Sequence, residues 1–272
     1  YFYEIARKLG VDRLKKTATK FGLGEKVLQE TFSNEKKGLI PNTQWKKDNL
    51  GKGWVIGETL ITGIGQGYMQ TTPLQLCLMT AQLANGGYKI YPKIVVNEND
   101  ETYEETKAFI KKNYNIKKEL KDDLVESSEG LFSFIKDKKH EALYENIENI
   151  KIIQEAMFAS TNEVRGTSYA SRIEDPKYQF AGKTGTSQVK RITEAQRELD
   201  LNTSEIPYDE RDHALYIAFG PYKKPRYALS IVIEHGGSGS STAAPLAKKL
   251  FKLIIDRHEL REKVRNKKSV KI

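Results

Sequence analysis

The stretch AGKTGTSQV, Ala181–Val189, places a cation, two hydroxyls and a glycine on one short segment whose flanks predict a β-strand. Alternate side chains of a strand share a face, so Thr184 and Thr186 point together, about 7 Å apart. Hydroxyls at that spacing can bind a carboxylate, and Lys183 adds positive charge beside them. Gly185 allows another backbone or a ligand to come close. If this is an edge strand, it can pair with an extended peptide that ends in a free carboxylate and offer a backbone N–H to an oxyanion.

The three strands of the predicted sheet cover residues 178–189, 213–220 and 226–235, and short links join the last two. A closing helix is predicted over 242–257. Strands that follow one another through short links favour antiparallel neighbours in chain order. The pattern therefore predicts an α+β fold, in which an antiparallel meander packs on helices.

Further helices are predicted before the sheet. Residues 1–22 have the apolar spacing of two short helices, with Asp12 as the N-cap of the second. Thr72 is a good N-cap for the helix in TTPLQLCLMTAQLANGG, which Gly86 ends. The sequence KIIQEAMFASTNEV predicts another helix, from residue 151.

Two regions show little regular pattern. Residues 30–70 are rich in glycine and are predicted to be irregular, although Trp45 and Trp54 favour an ordered loop because large rings need packing partners. Residues 97–150 are highly charged, and we interpret them as a partly helical surface insertion without chemistry.

Composition excludes several classes of function. The 272 residues carry a net charge of +9, but basic and acidic side chains alternate along the chain, which argues against a nucleic-acid interface. The positive excess suits work beside an anionic polymer or lipid surface. Four histidines and one cysteine, Cys77, show no metal-ligand spacing, and no cofactor is expected. Cys77 cannot form an internal disulfide and is predicted to be a core residue.

Lys-Thr-Gly alone is weak evidence, because it occurs by chance on ordinary strands. In penicillin-binding proteins and class A β-lactamases it accompanies S-x-x-K and S-D-N. The nucleophile should be the serine of S-x-x-K, at the start of a buried helix. Literal matches begin at Ser33, Ser133 and Ser187, and an S-x-N begins at Ser160. None of the three S-x-x-K serines has an apolar helix behind it, and Ser160 lies late in a predicted helix, just before the strand. We interpret all four as chance matches and expect this chain alone to be inactive.

Several longer stretches resemble class B penicillin-binding proteins of the elongation type and follow the family's order: YFYEIARKLGVDRL, GIGQGYMQTTPLQL, LANGG, AGKTGTSQV, RDHALYIAFGPYKKP and VIEHGGSG. The resemblance implies that residues 1–272 are the C-terminal portion of one transpeptidase domain, with 97–150 inserted in it. It also implies a serine β-lactamase-like fold, an antiparallel sheet between helices, present here with three of its strands. The S-x-D/N and S-x-x-K elements, and two more strands beyond 226–235, would then precede Tyr1.

The resemblance also implies roles for the residues of the strand. Lys183 would supply positive charge and hydrogen bonding to the catalytic hydroxyls. Thr184 and Thr186 would hold the carboxylate of the peptide, with Gly185 between them. The N–H of Thr186 would form half of the oxyanion hole.

A second segment would line or brace the groove wall: Gly65, Gln66 and Gly67. A glycine-rich turn that leads into the Thr72 helix cap explains the same residues equally well, and Tyr68 is open to the same two interpretations. Arg211, Asp212 and His213 are interpreted as a structural hydrogen-bonding cluster.

The implied function is an acyl-serine D,D-transpeptidase that cross-links peptidoglycan stem peptides during elongation, with β-lactams as inhibitors. Membrane proteins of the elongation complex would be its partners. Its place would be the periplasmic face of the bacterial inner membrane, anchored by an upstream segment. One alternative is a non-catalytic β-lactam-binding or sensor module of the same fold. A serine β-lactamase is less favoured, because no carboxylate stands out as a deacylating base.

Overall fold

The computed structural model describes residues 1–28, 34–92, 94, 141–190, 203 and 205–269, with side chains as far as Leu260. Three antiparallel strands form its sheet, β1 (Ala181–Ser187), β2 (His213–Gly220) and β3 (Tyr227–Ile233), in the order β1-β2-β3. β2 is central and pairs with both neighbours in register. The α+β meander predicted from the sequence is confirmed.

The α-helices in the described part of the chain are α1 (Phe2–Leu9), α2 (Val11–Lys20), α3 (Thr43–Leu50), α4 (Ile56–Thr62), α5 (Pro73–Ala84), α6 (Ile147–Asn162) and α7 (Ala244–Ser269). A π-helical turn, Gly239–Ala243, leads directly into α7. Two 3₁₀ turns, Tyr169–Ser171 and Tyr208–Glu210, precede β1 and β2.

One face of the sheet packs against α7. The contact is close because alanines of β2 meet alanines at the start of the helix, and the rings of Phe180 and Phe251 stack with centroids 4.9 Å apart. The buried residues of this face are Ile173, Phe180, Ala214, Tyr216, Ala218, Ala243, Ala244, Ala247, Phe251 and Ile255. The closing helix therefore lies on one face of the sheet, as the sequence predicts, and it runs on to Ser269.

The other face packs against α5 and α6, with larger side chains between them: Leu83, Ile150, Met157, Ala181 and Phe219. Helix α5 begins as predicted. Thr72 and Gln75 form a capping box, in which each side chain accepts a hydrogen bond from the other residue's N–H.

Cys77 of α5 is only partly buried, so its predicted place in the core is only partly right. Its thiol lies 3.6 Å from the carbonyl oxygen of Ala228 in β3. Burial at this helix–sheet contact raises the pKa of the thiol.

The prediction of an irregular segment over 30–70 is wrong where α3 and α4 form. Asn42 caps α3 by accepting a hydrogen bond of 2.9 Å from the N–H of Trp45. Lys46 of α3 is 6% exposed and pairs with Glu58 of α4 at 2.5 Å. The Nε1 of Trp54 donates to the hydroxyl of Thr59 at 2.8 Å. These side-chain contacts replace the apolar periodicity that the segment lacks.

The predicted N-cap at Asp12 is also wrong. Helix α2 begins at Val11, and Gly10, with a φ of 80°, precedes it. The carboxylate of Asp12 instead accepts hydrogen bonds from the hydroxyl and the N–H of Thr43. Asp12 therefore joins α2 to the start of α3.

Helix α6 begins at Ile147, four residues before the predicted start. Leu143 and Ile150 are buried, and Ala142 forms an isolated bridge with Tyr88. The end of the charged segment 97–150 thus packs into the domain. The rest of that segment, including Ser133, lies outside the described residues, as does Ser33.

Candidate active site at the outer edge of β1

Among the described strands, β1 pairs only with β2, so its other edge is open. Backbone groups of successive residues in an antiparallel strand point alternately to the partner and away from it. The carbonyl of Thr184 accepts a hydrogen bond of 2.7 Å from the Nζ of Lys183. The carbonyl of Thr186 accepts one of 3.0 Å from the Nε2 of Gln66. Both carbonyls thus face the open edge, where an extended peptide can pair with the strand.

Lys183 carries a positive charge that no acidic side chain of the described residues neutralises by an ion pair. Its side chain reaches solvent, yet partial burial of the amine lowers the pKa of Lys183. An incomplete shell of water and a missing counter-ion both favour the binding of an anion beside this amine.

Thr184 is half-buried, and its hydroxyl lies 3.2 Å from the hydroxyl of Thr167. Thr167 in turn lies 3.2 Å from the hydroxyl of Ser160, in the last turn of α6. No pattern in the sequence predicts this series of contacts from the strand to Thr167 and Ser160. The S-x-N match at Ser160 thus ends a helix and does not begin one, as the sequence predicts.

A cluster of buried hydroxyl groups packs against β1. The phenol oxygen of Tyr216 is fully buried and lies 3.0 Å from the hydroxyls of both Thr161 and Ser168. Burial raises the pKa of Tyr216, although these two hydrogen bonds oppose the rise. A Cβ at Gly182 would collide with the phenol, so the strand lies directly on this cluster.

Gly185 lies beside a glycine of the turn that leads into α7. A Cβ on Gly239 would lie 2.7 Å from the carbonyl oxygen of Gly185 and would also collide with the carbonyl of Leu215. The missing side chain that permits this close approach is that of Gly239, whereas a Cβ on Gly185 itself would meet only the Cβ of Leu215, at 3.3 Å. This contact locks the π-helical turn onto the pair β1–β2.

The cluster at the start of β2 is structural, as predicted. The carboxylate of Asp212 accepts from the N–H of Val189 at 3.2 Å, and its carbonyl accepts from Gly237 at 2.8 Å. His213 accepts at Nδ1 from the N–H of His235, 3.0 Å away. His235 has a φ of 54°, which is unusual for a residue other than glycine. Together these bonds fix the ends of all three strands.

The segment Gly65, Gln66 and Gly67 forms the predicted glycine-rich turn, and one of its side chains reaches β1. Gly65 and Gly67 have φ values of 77° and 78°, so they form a turn between α4 and α5. Gln66 points from this turn to β1 and bonds to Thr186. Tyr68 packs against Trp45, with ring centroids 5.2 Å apart.

The described residues contain no group of three or more His, Cys, Asp or Glu side chains that could hold a metal ion. None of their helices is long and apolar enough to cross a membrane.

The penicillin binding protein transpeptidase domain matches residues 1–252, which include the whole sheet and the candidate site. The chain belongs to the penicillin-binding protein transpeptidase family. The open edge of β1 therefore lies within the matched domain. The resemblance noted in the sequence is confirmed.

Relatives and solved structures point to one branch of the family. Peptidoglycan D,D-transpeptidase MrdA of Salmonella typhimurium LT2 is 32% identical over 256 residues, which are 94% of this chain and 36% of the relative. MrdA of Haemophilus influenzae is 30% identical over 260 residues, which are 92% and 34% of the two chains. The chain thus spans about a third of the length of these curated relatives.

Among solved structures, PBP2 of Helicobacter pylori in complex with MreC superposes with a TM-score of 0.68 and 27% identity, over 96% of this chain and 38% of that one. PBP2 of Pseudomonas aeruginosa in complex with WCK 5153 gives a TM-score of 0.64 and 31% identity, over 93% and 46%. These superpositions confirm the penicillin-binding protein fold that the resemblance implies for this chain.

Proposed function

We propose that the chain is part of a peptidoglycan D,D-transpeptidase with an acyl-serine mechanism, which cross-links stem peptides during cell elongation. The observation that carries the proposal is the open edge of β1, where Lys183 has no acidic partner among the described residues and two threonines flank Gly185. The names of the MrdA relatives support the same reaction.

In the proposed mechanism the donor peptide pairs with the outer edge of β1. The hydroxyls of Thr184 and Thr186 and the charge of Lys183 bind its terminal carboxylate. A serine outside these 272 residues attacks the penultimate carbonyl, and the terminal amino acid leaves with a proton. The N–H of Thr186 donates to the oxyanion that forms during the attack. The amine of a second peptide then takes the acyl group from the serine. A β-lactam enters as a mimic of the donor and stays on the serine.

Gln66 would brace the strand during this reaction. The carbonyl of Thr186 has two lone pairs, so it can accept from Gln66 and from a ligand N–H together. Gly65 and Gly67 would give the brace its turn. The predicted groove-wall segment would thus position the strand, and the residues of β1 would carry out the chemistry.

We also propose the following features of the whole protein. Residues 1–272 would form the C-terminal portion of one transpeptidase domain, and the charged segment 97–150 would be an insertion without chemistry, whose end packs into the domain. The MreC complex of Helicobacter pylori PBP2 supports a partner from the elongation complex. The periplasmic face of the inner membrane is the place where such an enzyme meets stem peptides.

The test is to label the complete protein with a fluorescent penicillin and to map the adduct by mass spectrometry. We expect one stoichiometric adduct, on a serine outside the 272 residues. An adduct at Ser33, Ser133, Ser160 or Ser187 would overturn the proposed site. Labelling without transfer from a peptide donor to an amine would instead indicate a β-lactam sensor, and rapid loss of the adduct would indicate a β-lactamase.

A further inference from the structure

Three hydroxyls lie in series behind the proposed carboxylate site. The Oγ1 of Thr184 is 3.2 Å from the Oγ1 of Thr167, which is 3.2 Å from the Oγ of Ser160. The three residues come from β1, from the turn after α6 and from α6 itself. Of the three residues, only Thr184 lies in the Lys-Thr-Gly motif.

The turn that carries Thr167 is held firmly on both sides. The N–H and the hydroxyl of Ser168 both donate to the carbonyl of Ser160, at 3.0 Å each. Gly166 packs so closely on the end of α6 that a Cβ there would lie within 3 Å of the carbonyls of Ala159 and Ser160. Its N–H donates to Glu163 at 2.8 Å. Thr167 is therefore placed by its neighbours, although its own side chain is exposed.

The binding of an anion fixes the direction of these hydrogen bonds. A hydroxyl has one proton and two lone pairs. When Thr184 donates its proton to a carboxylate, it can only accept from Thr167. Thr167 has then used its own proton and can only accept from Ser160. All three protons thus point towards the ligand, and each bond polarises the next.

We propose that Thr167 is a positioning residue that makes the hydroxyl of Thr184 a donor to free carboxylates, with Ser160 as the next donor in the series. The proposal rests on the proposed function, because it takes the ligand of Thr184 to be the C-terminal carboxylate of a peptide. It predicts a preference for ligands that carry this negative charge.

The experiment measures the second-order rate of acylation of the complete protein by benzylpenicillin. It also measures how well N-acetyl-L-Lys-D-Ala-D-Ala and its C-terminal amide each protect the protein from acylation. We expect Thr167→Val to lower the acylation rate by about tenfold and to weaken protection by the acid by a similar factor, the scale of one hydrogen bond. Protection by the amide should change by less than about twofold, because the amide lacks the carboxylate to which Thr184 would donate.

Two variants and one control make the result specific. Thr167→Ser keeps the hydroxyl and should restore the rate. Thr167→Ala is a second variant without the hydroxyl, in case valine prevents folding. Thr17→Val removes an exposed hydroxyl from α2, far along the chain, and should have no effect. Thermal melting establishes that each variant is folded.

The outcomes separate this inference from the proposed function. If Thr184→Val loses the preference for the acid but Thr167→Val keeps it, the inference is wrong and the proposed function stands. Equal losses for acid and amide in Thr167→Val would show a general structural role and would also overturn it. If neither Thr184→Val nor Lys183→Ala affects acylation, the proposed function fails, and the inference fails with it.

Discussion

The Nε2 of Gln66 donates a hydrogen bond of 3.0 Å to the backbone carbonyl of Thr186, a residue 120 positions later in the chain. The bond joins the turn before α5 to the open edge of β1. It is the direct link between the two segments that the sequence singled out for the groove. The position of the edge strand therefore depends on a residue that precedes it by almost half the chain.

Gln66→Ala should lower the rate of acylation by a penicillin by about fivefold, because the hydrogen bond that positions Thr186 is lost. The free energy of unfolding should change little, since the bond is exposed. Gln44→Ala, which removes an exposed glutamine of α3 that bonds to Asp48, is the matched control. A faster reaction in Gln66→Ala would show that the glutamine competes with the ligand and does not brace the strand.

Lys183→Ala should lower the acylation rate by about 10²-fold or more, the scale for one positioned charge or proton-transfer group. The fold should persist, because the side chain reaches solvent and is not part of the core. Lys190→Ala removes a nearby lysine that pairs with Glu210 and should leave the rate unchanged. Normal acylation by a folded Lys183→Ala protein would refute the assignment of the motif.

The lowered pKa of Lys183 predicts a pH dependence of stability. The folded protein loses this proton at a lower pH than the unfolded chain, so it binds fewer protons between the two pKa values. The free energy of unfolding should therefore rise with pH through that window, up to about 10.4, the value for a free lysine. Lysine-selective NMR should show Lys183 losing its proton below the pH of a free lysine, and Lys183→Met should lose this part of the rise. Titration of Lys183 at or above the pH of a free lysine would contradict the prediction.

Lys46→Met should destabilise the protein by about 3 kcal/mol, because it leaves the carboxylate of Glu58 poorly solvated and without its cation. Burial alone would raise the pKa of Glu58, but the hydrogen bonds from Lys46 and from the N–H of Val55 outweigh it and lower that pKa. Urea unfolding measures the change, and Lys47→Met on the exposed side of α3 is the control. Joint replacement of Lys46 and Glu58 by methionine should recover part of the loss. No loss in Lys46→Met would mean that the pair is solvated.

Gly182→Ala should cost about 2 kcal/mol or more, because the new methyl group meets the phenol of Tyr216, which the buried hydroxyls hold in place. Gly57→Ala adds the same methyl group in α4, where no atom lies within 4 Å, and should be neutral or stabilising. Chemical denaturation compares the two. Equal stability of both variants would show that Tyr216 moves aside freely.

The sheet could be predicted from the sequence because β-branched and aromatic residues mark three runs with short links between the last two. The polar helix α3, TQWKKDNL, could not, because it has almost no apolar face. Its two ends nevertheless carry residues typical of helix termini. Asn42 is a good N-cap, and Gly51 follows the helix with a φ of 62°.

The candidate site divides in the same way. Lys183, Thr184 and Thr186 are neighbours in the chain, so one strand brings them together. The resemblance of GIGQGYMQTTPLQL to the family points to Gln66, whereas nothing in the sequence points to Thr167. Both residues reach the strand through the way α6 ends and the way α4 turns into α5. Such contacts depend on tertiary packing, which no local pattern of residues predicts.

The alanines between β2 and α7 limit how this family member can change over evolutionary time. Ala218 and Ala247 are fully buried where alanines of β2 meet alanines at the start of α7, so a larger residue at either position would overpack this contact. On the opposite face, Leu83, Met157 and Phe219 can exchange volume with one another. We expect neutral substitutions to accumulate on the α5–α6 side. The buried residues on the α7 side should change little, which keeps the spacing of the strands constant.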